Sequence, residues 1–170
     1  MPGPLIRTVV YSSLFIGVVL VYLPARTLAR AGIERPDHFE LAQGVGAVAV
    51  IVGAALAVWC IAAFVSVGRG TPAPFDPPRR LVVRGPYRYL RNPMYLGATL
   101  ALGGAAVFYE SGALAAYTAG FALLMHAFVV LYEEPARAAT FGPDYADYCR
   151  RVGRWYPTPG ASASNETTGR

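Results

Sequence analysis

From Leu41 to Val67 the chain carries no charged side chain, and no other feature constrains its fold as strongly. The run exceeds the ~20 apolar residues that span the hydrocarbon of a bilayer and leaves length for tilt. Gly44, Gly46 and Gly53 lie inside it. Their spacing mimics a dinucleotide-binding turn, but the context is an unbroken apolar span instead of strand, turn and helix. Small residues that let two helices approach closely suit that context better.

Three further apolar runs follow the same logic. Leu5 to Leu23 is interrupted only by Arg7, Thr8 and two serines, and Pro24 is expected to end it. Met94 to Tyr109 and Ala113 to Tyr132 flank a tight break at Glu110-Ser111-Gly112 and form a hairpin. The predicted fold is all-α: a polytopic membrane protein of about four transmembrane helices with a C-terminal interfacial amphipathic helix. The expected organisation is a single integral membrane domain over 1–160. Its spans are 5–24, 41–67, 94–110 and 112–132, with a linker over 68–93 and an interfacial helix over 133–157. The small, polar stretch 161–170 is expected to be disordered. An apolar content of 55%, a charged content of 15% and a mean hydropathy of +0.39 support the membrane class over a soluble one.

The net charge of +5 does not point to nucleic acid, because the arginines flank apolar runs instead of forming one basic face. All 15 basic residues are arginine, which fits high-GC codon usage and an expected location in a bacterial plasma membrane. Cys60 and Cys149 show no CxxC or Cys/His pairing, so they read as ordinary thiols and no metal is expected. The first run has no small-residue cleavage site and reads as a retained helix. Six arginines and one aspartate between Gly68 and Pro93 place that loop, and the C-terminal segment, in the cytoplasm. The loop from Ala25 to Glu40, with three arginines and three acidic residues, would then face outward.

Apolar packing does not account for Arg79 to Gly97, RRLVVRGPYRYLRNPMYLG, with its five arginines, three tyrosines and two prolines. Pro93 suits the first turn of a new helix. A second polar cluster, Tyr132-Glu133-Glu134, closes the last apolar run. Both fall on one membrane face, and a polar cofactor held between them is the function these clusters suggest. His126 lies within the fourth run, either as a hydrogen-bonded structural histidine or facing the site.

The segments GPYRYLRNPMYLG, then EEP, then FGPDYADYCRRVGRWYP are similar to those of the isoprenylcysteine carboxyl methyltransferase superfamily, to which phospholipid methyltransferases are related. The similarity extends over about 70–157. It implies an integral membrane enzyme using S-adenosylmethionine, with S-adenosylhomocysteine as product, and a cofactor site in two parts. Leu81, Val82, Tyr87, Asn92, Pro93, Met94 and Tyr95 form the first, and Glu133 with Glu134 the second. The partners implied are membrane lipids and a lipophilic or lipidated acceptor. Asn92 stands where the family usually has histidine, so it keeps a donor and an acceptor but does not titrate. Val129 stands about where the prenylcysteine enzymes carry a substrate arginine.

The chemistry of the residues agrees with that assignment. A carboxylate such as Glu133 accepts hydrogen bonds from a ribose diol or an ammonium. The free N–H groups at a helix start suit a carboxylate. Tyrosine rings suit a flat base or a sulfonium. Carboxyl O-methylation needs no base and is the favoured expectation. Phospholipid amine N-methylation is the alternative, and there Glu134 or a tyrosine is the candidate proton acceptor. A non-catalytic lipid- or partner-binding protein of the same fold is the reading from another class. A reductase on a related membrane fold is a third.

Overall fold

Small residues decide how the two most apolar helices meet. The computed structural model describes residues 13–14, 16–36, 38–63, 81 and 83–158, and its named elements are all helical. A π-helical turn, Ile16–Tyr22, runs into α1, Leu23–Arg30. Helix α2 spans Leu41–Ala63, α3 Pro93–Phe108 and α4 Gly112–Phe128. A second π-helical turn, Val129–Glu133, leads directly into α5, Glu134–Arg151.

Helices α2 and α3 pack antiparallel, Gly46 opposite Gly104 and Gly53 opposite Gly97. A Cβ on Gly46 would lie 2.6 Å from the Gly104 carbonyl oxygen, and one on Gly104 would lie 2.7 Å from that of Gly46. Side chains longer than hydrogen would force these backbones apart. Gly44 faces open space, so two of the three glycines make the expected close approach. Gln43, 4% exposed, ties one end of this pair. Its Nε2 donates to the Phe108 carbonyl at 3.4 Å and to Glu110 Oε1 at 3.2 Å, and its Oε1 accepts from the Glu40 N–H at 3.0 Å.

The expected break after α3 is present, although Glu110 rather than a glycine takes the left-handed conformation, at φ 47°. Ser111 then caps α4 by accepting from the Leu114 N–H at 3.1 Å. Ala98, Leu102 and Phe121 form the core between α3 and α4, and Val19 and Leu20 pack onto it. The Tyr117 hydroxyl donates to the Val19 carbonyl at 2.8 Å, which docks the first π-helical turn.

Two expectations change. Pro24 does not end the first helical segment; it sits buried in the first turn of α1, which continues to Arg30. A proline is tolerated there because the first-turn N–H groups lack an intrahelical partner in any case. Nor is the interfacial helix separate from the fourth run, because the second π-helical turn carries the chain through Glu133 without a break. The helix is interrupted further on, at Gly142 (φ 50°, ψ −123°) just before Pro143. Beyond it, Tyr145, Tyr148 and Val152 gather Leu81, Val83 and Phe141 into a small core.

Among the described residues, Leu41–Ala63 and the continuous helix Gly112–Arg151 are long and apolar enough to cross a membrane. Pro93–Phe108 is apolar but has 16 residues, short of the ~20 that span the hydrocarbon. Residues 1–12 and 64–67, which belong to the first and second expected spans, lie outside the described residues, as does the tail 161–170.

Candidate functional site

Gly85 starts the construction of the site. Its φ of 58° turns the chain into a short 3-10 turn, Gly85–Arg88, that seats Tyr87 against Cys60 and Ala63 at the end of α2. A Cβ at Gly85 would approach the Trp59 indole nitrogen at 3.3 Å, so glycine serves both the turn and the fit. The Tyr148 hydroxyl donates to the Tyr87 carbonyl at 2.6 Å and fixes the turn from the α5 side. Tyr87 is 5% exposed, and burial pushes its hydroxyl well above the ordinary phenol range. It is therefore a protonated donor at neutral pH.

Asn92 precedes α3 in the cap position, with φ −130° and ψ 52°. An asparagine there ordinarily accepts a bond from the first helical turn, but this side chain makes no such cap. It is 3% exposed, and among the described residues neither its Oδ1 nor its Nδ2 has a hydrogen-bond partner. A buried amide left in that state costs on the order of 1–3 kcal/mol. Pro93 opens α3 fully buried, so the first backbone N–H groups of the helix belong to Met94 and Tyr95, and both residues face the same cleft as Asn92.

The π-helical turn Val129–Glu133 brings the second cluster to this cleft. Glu133 and Arg137 line it together with Tyr87, Asn92 and Tyr95. Arg137 pairs with Glu133 one helical turn before it, both side chains mostly buried. Tyr132 turns away, 52% exposed and stacked on Phe128.

Glu134 is placed differently from Glu133. Its Oε1 accepts from Arg91 Nη1 at 2.9 Å and from Arg154 Nε at 2.9 Å, and its Oε2 accepts from Arg154 Nη2 at 2.7 Å. Arg91 also donates to Cys149 Sγ at 3.0 Å, and its backbone N–H donates to the Gly153 carbonyl at 2.9 Å. Glu134 thus joins the 88–92 turn to the segment after α5 and stands behind the cleft lining.

Of the residues expected at a cofactor site, Tyr87, Asn92, Met94, Tyr95 and Glu133 converge on one cleft, and Pro93 sets its helix. Leu81 packs against Tyr145, Tyr148 and Val152 instead. Val82, Arg79 and Arg80 lie outside the described residues. Arg84 and Arg88 are exposed, with Arg88 over the Tyr89 ring at 4.9 Å. His126 is hydrogen-bonded but at the protein surface, accepting at Nδ1 from Trp155 Nε1 at 3.1 Å. Arg91 and Arg137 are the lining residues that sequence reasoning missed. The four-residue spacing of Glu133 and Arg137 was the available signal. Among the described residues, no group of His, Cys, Asp or Glu side chains is arranged to hold a metal ion.

A family model described as phospholipid methyltransferase matches residues 41–144. Comparison with curated proteins and with solved structures gives no match.

Proposed function

The chain belongs to the phospholipid methyltransferase family, a family of membrane methyltransferases that generally use S-adenosylmethionine, and we propose that it transfers a methyl group from that cofactor to an amphiphilic acceptor at the membrane surface. The observation that carries this reading is Asn92, a buried amide with no partner among the described residues at either polar atom, in a cleft that also holds Tyr87, Tyr95 and Glu133.

The residues fit the cofactor's chemistry. Asn92 offers one donor site and one acceptor site to a polar ligand. The first-turn N–H groups of Met94 and Tyr95, at the positive end of the α3 dipole, suit a carboxylate. Glu133 suits a ribose diol or an ammonium, and the Tyr87 and Tyr95 rings suit adenine or a sulfonium. Leu81 and Val82 are proposed to meet the cofactor from the linker side, while Glu134 supports the site from behind. When bound, S-adenosylmethionine supplies an electrophilic methyl on its sulfonium; the protein's part is to hold the acceptor in line with it and keep the cleft dry.

The acceptor in this reading presents a carboxylate, and the reaction is O-methylation. Each acidic side chain near the cleft is already paired with a guanidinium. An amine acceptor must lose a proton, whereas a carboxylate acceptor needs no base, and both oxygens of Glu134 are held by Arg91 and Arg154. Phospholipid amine N-methylation is the second reading, favoured by the family description itself. The enzyme would be multi-pass, with four spans and the cleft on the cytoplasmic side. The arginine-rich linker supports that orientation.

Isothermal titration of the purified, folded protein with S-adenosylhomocysteine tests the reading. Binding is expected, with Glu133→Gln and Tyr95→Ala each weakening it about tenfold or more; a folded protein that does not bind it refutes the cofactor assignment. Labelled methyl transferred into a membrane lipid extract then separates the two chemistries. A methyl ester is released by mild base, whereas an N-methyl group is retained.

A further inference from the structure

Two neighbouring carboxylates beside the cleft are satisfied unequally. Both oxygens of Glu134 are taken, by Arg91 and Arg154. Glu133 has Oε1 taken by Arg137 Nη2, while its Oε2 is buried with no partner among the described residues. The Tyr95 hydroxyl, from α3, lies near this carboxylate without completing a hydrogen bond to Oε2. A buried carboxylate oxygen in that state is costly in the ligand-free protein, and a donor brought by a ligand relieves it.

Arg137 governs the state of that oxygen. It follows Glu133 by four residues, the order of acid and base that favours contact along a helix. The two side chains are 18% and 17% exposed, so neither can readily replace its partner with water. Tyr145, just beyond the kink at Gly142 and 4% exposed, stands beside the guanidinium and limits where it can move. A guanidinium stays charged in any protein environment. An opposite charge in contact keeps a carboxylate ionised, whereas a buried carboxylate without one takes up a proton. A bond fixed at one oxygen also sets the direction in which the other points.

We infer that Arg137 is a positioning residue for the methyl donor: it holds Glu133 by Oε1 and leaves Oε2 to accept from the cofactor's hydroxyl or ammonium groups. The inference rests on the cofactor reading above. Arg137 acts through Glu133 and takes no part of the ligand itself. Its contribution is preorganisation, since the charge and orientation of the carboxylate are set before the cofactor arrives. A merely structural Arg137 would alter stability and leave affinity and its pH dependence alone.

The test is isothermal titration of the full-length protein in uncharged detergent with S-adenosylhomocysteine, from about pH 5.5 to about pH 8. Besides Arg137, the ionisable groups facing Glu133 are Tyr87, Tyr95 and Glu134. Phenols keep their proton and a paired carboxylate stays ionised across that range, so wild-type affinity is expected to be flat. Arg137→Gln should weaken binding about tenfold or more at the acid end, and binding should recover in part as rising pH ionises Glu133. In a Glu133→Gln background the same substitution should change affinity by less than ~3-fold at every pH, because the residue through which Arg137 acts has gone. Arg137→Lys keeps the charge but loses the planar fork, so affinity should fall several-fold with a flat pH profile. That variant carries the test if Arg137→Gln does not fold. A folded Arg137→Gln with wild-type affinity and a flat profile overturns the inference, as does a folded Arg137→Lys with unchanged affinity. A loss of about tenfold that persists in the Glu133→Gln background also overturns it, by showing that Arg137 touches the cofactor directly. A folded wild type that fails to bind S-adenosylhomocysteine refutes the cofactor reading instead.

Discussion

Replacing Glu134 with glutamine separates a structural carboxylate from a ligand-binding one. The wild-type side chain is 15% exposed and binds Arg91, 13% exposed, and Arg154, 34% exposed. Removing one member of a buried ion pair costs about 3–5 kcal/mol. Two features reduce that figure here: Arg154 is a third exposed and recovers solvation, and glutamine retains an acceptor for one guanidinium. A net loss of about 2 kcal/mol follows. For a chain of this size that corresponds to a fall in Tm of roughly 4–8 °C, measured by intrinsic fluorescence on heating in detergent. The double variant Glu134→Gln with Arg154→Gln should be about 1 kcal/mol less destabilised than the sum of the single variants, since both act on one ion pair. Affinity for S-adenosylhomocysteine should stay within ~3-fold, because Glu134 does not line the cleft. A variant with unchanged Tm and lost affinity would show that Glu134 touches the cofactor and that the ion-pair account is wrong.

Three further outcomes follow from geometry already described. Gly104→Leu should separate α2 from α3 and cost about 1–3 kcal/mol by overpacking, whereas Gly44→Ala, facing open space, should be neutral or slightly stabilising; paired thermal melts check both. Asn92→Ala should leave the ligand-free protein as stable as the wild type or more so, since it removes an unsatisfied buried amide, yet weaken S-adenosylhomocysteine binding about tenfold in titration calorimetry. His126→Ala should leave that affinity unchanged while shifting Trp155 emission, because the indole loses its 3.1 Å acceptor.

The apolar runs and the close approach at Gly46 and Gly53 were legible in the sequence because they depend on side-chain size and polarity alone. Pro93 was legible as a helix start for a local reason, its missing N–H. Pro24 was not, because whether a proline ends a helix or begins one depends on the winding just before it, here a π-helical turn. The convergence of Tyr87, Tyr95 and Glu133 was anticipated from cluster order. The separation of Glu133 from Glu134 was not. Adjacent helical residues point about 100° apart, and which of the two reaches the cleft depends on the rotation imposed by the second π-helical turn. The role of Glu134 depends in turn on Arg154, twenty residues along and beyond the end of α5, a pairing that no local pattern encodes. Arg137 falls inside the expected interfacial helix 133–157, and its pairing with Glu133 follows the four-residue spacing along that helix.

The bond from Arg91 to the Gly153 carbonyl, the Arg154 pair and the Trp155–His126 contact also give the molecule an order of assembly. Synthesis runs from the N-terminus, so the helical hairpin and both halves of the cleft are made before the segment that clasps them together. During that interval the 88–92 turn lacks Arg154 and Gly153, and Glu134 has only Arg91 to satisfy it. A chain stalled before Gly153 would hold both halves of the cleft without the clasp that joins them.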